Sequence, residues 1–102
     1  MNSTRILNSN SGQWQLELRR TSDELLEVSC SGRWCLDQDL PPAEAVLDTT
    51  GDNLQRLSFS TEHLKDWDTG FLAFLRTLLS LCSARAISVN QEGLPMGVHH
   101  LL

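Results

Sequence analysis

The chain has 102 residues, eight Lys and Arg against thirteen Asp and Glu, and a formal charge of −5. That length holds one domain with one modest core, and 40% hydrophobic with 21% charged residues is ordinary for a globular fold. The acidic balance argues against nucleic acid and against direct docking on acidic lipid headgroups, since both need clustered Lys and Arg and the only adjacent basic pair is Arg19-Arg20.

The three cysteines, Cys30, Cys35 and Cys82, are odd in number and form no CxxC, so a reducing cytoplasm is expected rather than a disulfide scaffold. Residues 1–12 are polar, carry no signal-peptide pattern and read as a flexible lead-in to a domain over 13–102. No apolar run approaches the roughly 20 residues needed to span a bilayer, so no membrane insertion of this segment is expected.

In chain order, Trp14, Leu16 and Leu18 alternate with polar residues, as do Leu26, Val28 and Cys30. Thr21-Ser22-Asp23 between them is turn chemistry, which predicts a β-hairpin ending near Ser31-Gly32-Arg33-Trp34. A helix is expected within 37–53, opened by Asp39 and Pro41-Pro42, buried through Ala43, Val46 and Leu47, and stopped by Gly51. A strand follows at 57–61, with Leu57, Phe59 and Thr61 on one face. The next helix buries Phe71, Phe74, Leu75, Leu78 and Cys82 at helical spacing. A short strand at 86–89 and a two-turn helix from Pro95 complete the chain, and its final Leu101-Leu102 suggests a helix that continues or meets a partner. The order β-β-α-β-α-β-α predicts an α/β fold: a single-domain mixed β-sheet, an antiparallel hairpin followed by βαβ units, with packed helices.

The junction Trp67-Asp68-Thr69-Gly70 draws most attention. A strand entering a helix through a polar turn places that turn at unpaired backbone N–H groups. Asp68 or Thr69 there reads structurally as an N-cap, worth about 1 kcal/mol. The functional alternative has Thr69 offering its hydroxyl to a partner, or accepting a phosphate that Asp66 and Asp68 would repel. Trp67 reads as an anchor for the turn, and an apolar first helical turn beside it is a plausible docking surface.

Nothing in the sequence points to catalysis, a metal or a cofactor. His63, His99, His100 and the cysteines show no zinc spacing, Asp37 and Asp39 read as helix-start acids, and Ser58 and Ser60 lie in a strand without a nucleophile elbow.

The run from Leu57 to Leu75 resembles the signature of STAS domains, a group named for sulfate transporters and anti-sigma-factor antagonists: a strand, a loop, then Asp-Ser/Thr-x-Gly opening a leucine-rich helix. Trp67-Asp68-Thr69-Gly70-Phe71-Leu72 fits with Thr69 at the hydroxyl position, although the family's glycine falls at Phe71 and Gly70 takes the x position. Ala86 to Val89 resembles the following strand, Gly93-Leu94-Pro95 the Gly-Leu-Pro turn, and Gly32-Arg33-Trp34 a Gly-x-Trp after the hairpin. The chain is most similar to the STAS-like domain at the N-terminus of lipid-asymmetry (Mla)-type ABC transporter permeases. That resemblance implies a non-catalytic regulatory module of a lipid or organic-solvent transporter, cytoplasmic at the inner face of the bacterial inner membrane. Its partners would be the ATPase subunit and the permease, and Asp68, Thr69, Gly70, Phe71 and Leu72 would dock on the ATPase. The alternative is an anti-sigma-factor antagonist-like phospho-switch, with Thr69 as phosphoacceptor and an anti-sigma factor or kinase as partner.

Overall fold

A computed structural model describes residues 3–22, 24–37, 39–47 and 54–101. The chain folds as β1 (Ser3–Asn8), β2 (Trp14–Arg20), β3 (Leu25–Trp34), α1 (Glu44–Leu47), β4 (Arg56–Ser60), β5 (Leu64–Trp67), α2 (Thr69–Ala84), β6 (Ser88–Asn90) and α3 (Met96–Leu101). The sheet runs β1-β2-β3-β4-β6, with β5 beside the far end of β3. β1, β2 and β3 are antiparallel neighbours, whereas β3 pairs parallel with β4 and β5, and β4 with β6. This is the mixed α/β sheet that the alternating patterns require.

Register explains why one face is dry. Leu16 faces Cys30, Leu18 faces Val28, and Val28 in turn faces Phe59, so the apolar members of three strands stack on one side. The intervening Gln15, Glu17, Arg19, Glu27, Ser29, Ser58 and Ser60 take the other side. Val46 and Leu47 of α1, Phe71, Phe74, Leu75, Leu78 and Cys82 of α2, and Val98 of α3 close over the apolar side in one continuous core. Trp34, fully buried, is its aromatic hub, with ring centroids 5.4 Å from Trp14, 5.6 Å from Phe71 and 5.0 Å from Phe74. The three thiols are free and buried, and burial pushes Cys30 and Cys82 above the usual thiol range, so both pack as small neutral core groups.

Several expectations need correction. The lead-in over 1–12 instead holds strand β1. Its residues are polar, but Thr4 and Ile6 are β-branched and the ladder to β2 supplies the hydrogen bonds that the segment lacks alone. The helix expected within 37–53 is confined to Glu44–Leu47 among the described residues, with Pro41-Pro42 ahead of it rather than in its first turn. The Gly51 stop lies outside the described residues. A four-residue strand, β5, intervenes between β4 and α2; its pattern is mostly exposed, so no alternation betrays it. The last strand begins at Ser88, not Ala86, because Ala86 turns left-handed (φ 57°) to end α2, while the Ile87 N–H donates back to the Cys82 carbonyl at 2.8 Å.

The Gly93-Leu94-Pro95 turn has a local cause. A Cβ at Gly93 would collide with the Phe59 carbonyl oxygen, and the Thr61 hydroxyl donates to the Gly93 carbonyl at 2.5 Å. Two opposite effects are therefore expected in chemical denaturation. Gly93→Ala should destabilise by about 1–3 kcal/mol through forced backbone displacement. Ala86→Gly should stabilise by about 1 kcal/mol, because glycine relieves the left-handed penalty. A neutral Gly93→Ala would contradict the close approach.

Candidate functional site

The site is built where β3 and β5 end side by side. Trp34 and Trp67 are register partners in the parallel pair, and the Asp68 N–H donates to the Trp34 carbonyl at 3.4 Å. Asp68 then breaks out of the sheet in an extended conformation and caps α2. Its Oδ1 accepts the Gly70 N–H at 2.8 Å, and its carbonyl accepts the N–H groups of Phe71 at 3.1 Å and Leu72 at 3.3 Å. The same carboxylate accepts the Leu36 N–H, at 3.0 Å to Oδ1 and 3.2 Å to Oδ2. One side chain therefore fastens both the start of α2 and the loop that leaves β3.

Gly70 is buried under that loop. A Cβ there would come within 3.0 Å of the Leu36 nitrogen, 3.0 Å of Leu40 Cδ1 and 3.1 Å of Asp68 Oδ1. Gly70 thus serves the close packing of helix against loop. Cys35, buried beside it, has its thiol pushed up first by burial and then by the carboxylates of Asp66 and Asp68. A protonated thiol there avoids adding another negative charge to the junction.

Thr69, the first helical residue, is exposed. Ala73, Arg76 and Thr77 are exposed too, so Thr69, Ala73 and Arg76/Thr77 form an outward stripe at helical spacing. Two shallow grooves flank it and share Ala73 and Thr77. One, of about 380 Å³, runs along Leu36, Leu40, Pro41 and Pro42. The other, of about 620 Å³, lies between Thr69, Leu72, Arg76 and Leu101. Arg76 donates to the Leu101 carbonyl at 2.9 Å, which draws the end of α3 against the stripe, and Gly97 of α3 lies under the half-buried Trp67 ring. Leu36 and Leu101 are 67% and 51% exposed, apolar lips on opposite sides of a small-residue ridge.

The five residues expected at a partner contact separate into distinct roles. Thr69 faces outward. Asp68 is half-buried with its carboxylate engaged internally. Gly70 and Phe71 are buried, Phe71 fully, and Leu72 is 8% exposed. Phe71 therefore belongs to the core beneath Trp34 and Trp67 instead of supplying apolar surface. Leu36, Ala73, Arg76, Thr77 and Leu101 complete the exposed surface. The stripe on α2 is legible from helical spacing, but the arrival of Leu36 depends on a hydrogen bond spanning 32 residues, which no local pattern signals.

His63, His99 and His100 are exposed, and Asp37 and Asp39 lie in the loop after β3. The Asp39 carbonyl accepts the Trp14 indole N–H at 2.8 Å. Among the described residues no group of three or more His, Cys, Asp or Glu could hold a metal ion, and no helix is long and apolar enough to cross a membrane. No family model matches the sequence, and no curated protein matches it.

The geometry separates the cap from the hydroxyl. Asp68→Ala should cost about 1–2 kcal/mol of unfolding free energy, from the lost cap and the orphaned Leu36 N–H. Asp68→Asn, which keeps an acceptor oxygen, should cost less. Thr69→Ala should stay within about 0.5 kcal/mol of the parent, as for an exposed surface site. Equal losses for Asp68→Ala and Thr69→Ala in denaturant titrations would overturn this division.

Proposed function

We propose that the domain is a non-catalytic STAS-like interaction module that docks on the ATPase subunit of a lipid or organic-solvent ABC transporter, alongside its permease. One observation carries this reading: Thr69 stands outward at the head of a ridge of small residues, while the charge beside it is consumed by the fold. A ridge of Thr and Ala lets another backbone approach closely. Leu36 and Leu101 at its margins offer apolar area that folding leaves exposed. A polar hydroxyl between apolar lips is a workable interface centre, since one hydrogen bond fixes orientation and the flanking area supplies affinity.

The contact reading is favoured over a phospho-switch for an electrostatic reason. The Gly70 N–H, which would otherwise help to receive a phosphate at the helix start, is held by the Asp68 carboxylate. A phosphate on Thr69 would meet that carboxylate and gain little from the helix. In this reading the domain works at the cytoplasmic face of the membrane through its protein partners.

Pull-down by the cognate ATPase subunit tests the proposal. Thr69→Glu and Ala73→Glu each place a bulky charge on the ridge without touching the core, and Leu36→Asp removes an apolar lip. Each should weaken capture by about tenfold or more, as for charge buried in an interface centre, while leaving thermal unfolding within a few degrees of the parent. Unchanged capture by the Thr69→Glu, Ala73→Glu double variant would reject the ridge as the docking face.

A further inference from the structure

We infer that the outer edge of β1 is a self-association surface, through which two copies join their sheets antiparallel in a register centred on Ile6. Among the described residues β1 ends the sheet and pairs only with β2. Antiparallel ladders alternate residues whose peptide groups face the neighbour with residues whose peptide groups face away. Two separate hydrogen bonds fix that alternation here. The Ser9 N–H donates to the Trp14 carbonyl at 3.2 Å, which continues the β1–β2 ladder and sets Leu7 and Arg5 as the residues bonded to β2. On the other side of β2, the Thr21 N–H donates to the Leu25 carbonyl at 3.2 Å, so Arg19, Glu17 and Gln15 turn their peptides to β3, leaving Leu18 and Leu16 for β1. Both phases agree. Thr4, Ile6 and Asn8 therefore direct their N–H and C=O groups outward from the sheet edge.

The segment carries few of the devices that guard an edge. Residues 3–8 read Ser-Thr-Arg-Ile-Leu-Asn, without proline, glycine, lysine or an acid. Ile6 is 54% exposed on the helix-free face. Arg5 is exposed on the opposite face, so the helical layer does not overhang this part of the edge.

Self-complementarity selects the occupant and the register. Antiparallel partners must share a face, so the two-fold axis has to pass through a residue of β1. Centred on Arg5, the pairing sets two guanidinium groups opposite each other, which is repulsive. Centred on Leu7, it shortens the ladder within β1. Centred on Ile6, it sets Ile6 against Ile6 of the second copy, Thr4 against Asn8 and Arg5 against Leu7. The pairs of Ile6, Thr4 and Asn8 are then hydrogen-bonded ones, giving about six new backbone bonds. No like charges meet, and the isoleucine pair covers the exposed apolar side chain. Because β1 lies at the opposite end of the sheet order from β6, this surface is separate from the ridge on α2.

Sedimentation equilibrium on the whole chain, from micromolar to millimolar protein, tests the inference. Salt should be near 0.15 M, where repulsion between chains of charge −5 is largely screened. The parent should shift from one to two monomer masses as concentration rises. Ile6→Pro removes an outward N–H and no bond to β2, and Ile6→Lys sets two cations opposite each other; both should remain monomeric while keeping the parent's circular dichroism spectrum. Under mild oxidant Ile6→Cys should form a covalent dimer, because paired residues lie about 5.5 Å apart between Cα atoms, and Arg5→Cys should not. A parent that stays monomeric at millimolar concentration, a folded Ile6→Pro or Ile6→Lys that still dimerises, or Arg5→Cys cross-linking in place of Ile6→Cys would each overturn it.

Discussion

The structure turns on the carboxylate of Asp68. It accepts the Leu36 N–H of the loop after β3 and the Gly70 N–H of the first turn of α2, while the backbone N–H of the same residue donates to the Trp34 carbonyl at the end of β3. A carboxylate accepting two backbone N–H groups makes charge-assisted bonds, roughly twice as strong as neutral ones. Its effect is geometric as much as energetic. It sets where α2 starts, hence which helix face meets Trp34 and which faces water, and it draws Leu36 to the edge of the exposed ridge. The side chain most suggestive of chemistry in the sequence is thus spent on architecture, and its neighbour Thr69 is left outside.

This arrangement reconciles two readings of the same tetrapeptide. An N-cap and an interaction site need not compete when adjacent residues divide the tasks. Asp68 satisfies the helix terminus from within, so Thr69 is not called on to do so. The aromatic floor of Trp34, Phe71 and Phe74 makes the helix start rigid, and a rigid exposed ridge loses little conformational entropy on binding. Gly70 belongs to the same logic, since any larger residue there would push the loop bearing Leu36 away from the helix.

Much of this fold was legible in the sequence because its core strands are half-buried and its main helix amphipathic. The alternations Trp14-Leu16-Leu18 and Leu26-Val28-Cys30 and the stripe Phe71-Phe74-Leu75-Leu78-Cys82 each mark a buried face. The failures fall where burial gives no pattern. β1 and β5 lie at the margins of the sheet, and the ladder holds them more than their own side chains do. The segment around Pro41-Pro42 stands ahead of α1 where composition suggested a helix, and the core contacts lie beyond it at Ala43, Val46 and Leu47. At the site, helical spacing exposes Thr69 and buries Phe71; the resemblance also assigned Phe71 and Leu72 to a partner contact, and both are packed inside. Their proximity to the helix start was visible, whereas the packing of Phe71 against Trp34 and Trp67 is a tertiary fact.

The central claim is that internal capping by Asp68 frees the ridge Thr69–Ala73–Arg76/Thr77 and its Leu36 margin to receive another protein. Hydrogen–deuterium exchange of the domain with and without the proposed ATPase partner tests it most directly. Slowed exchange in peptides covering 69–77 and 36–42, with 15–19 and 27–31 on the open sheet face unchanged, is the result this account predicts. Protection confined to the open sheet face, with 69–77 exchanging as in the free domain, would contradict it.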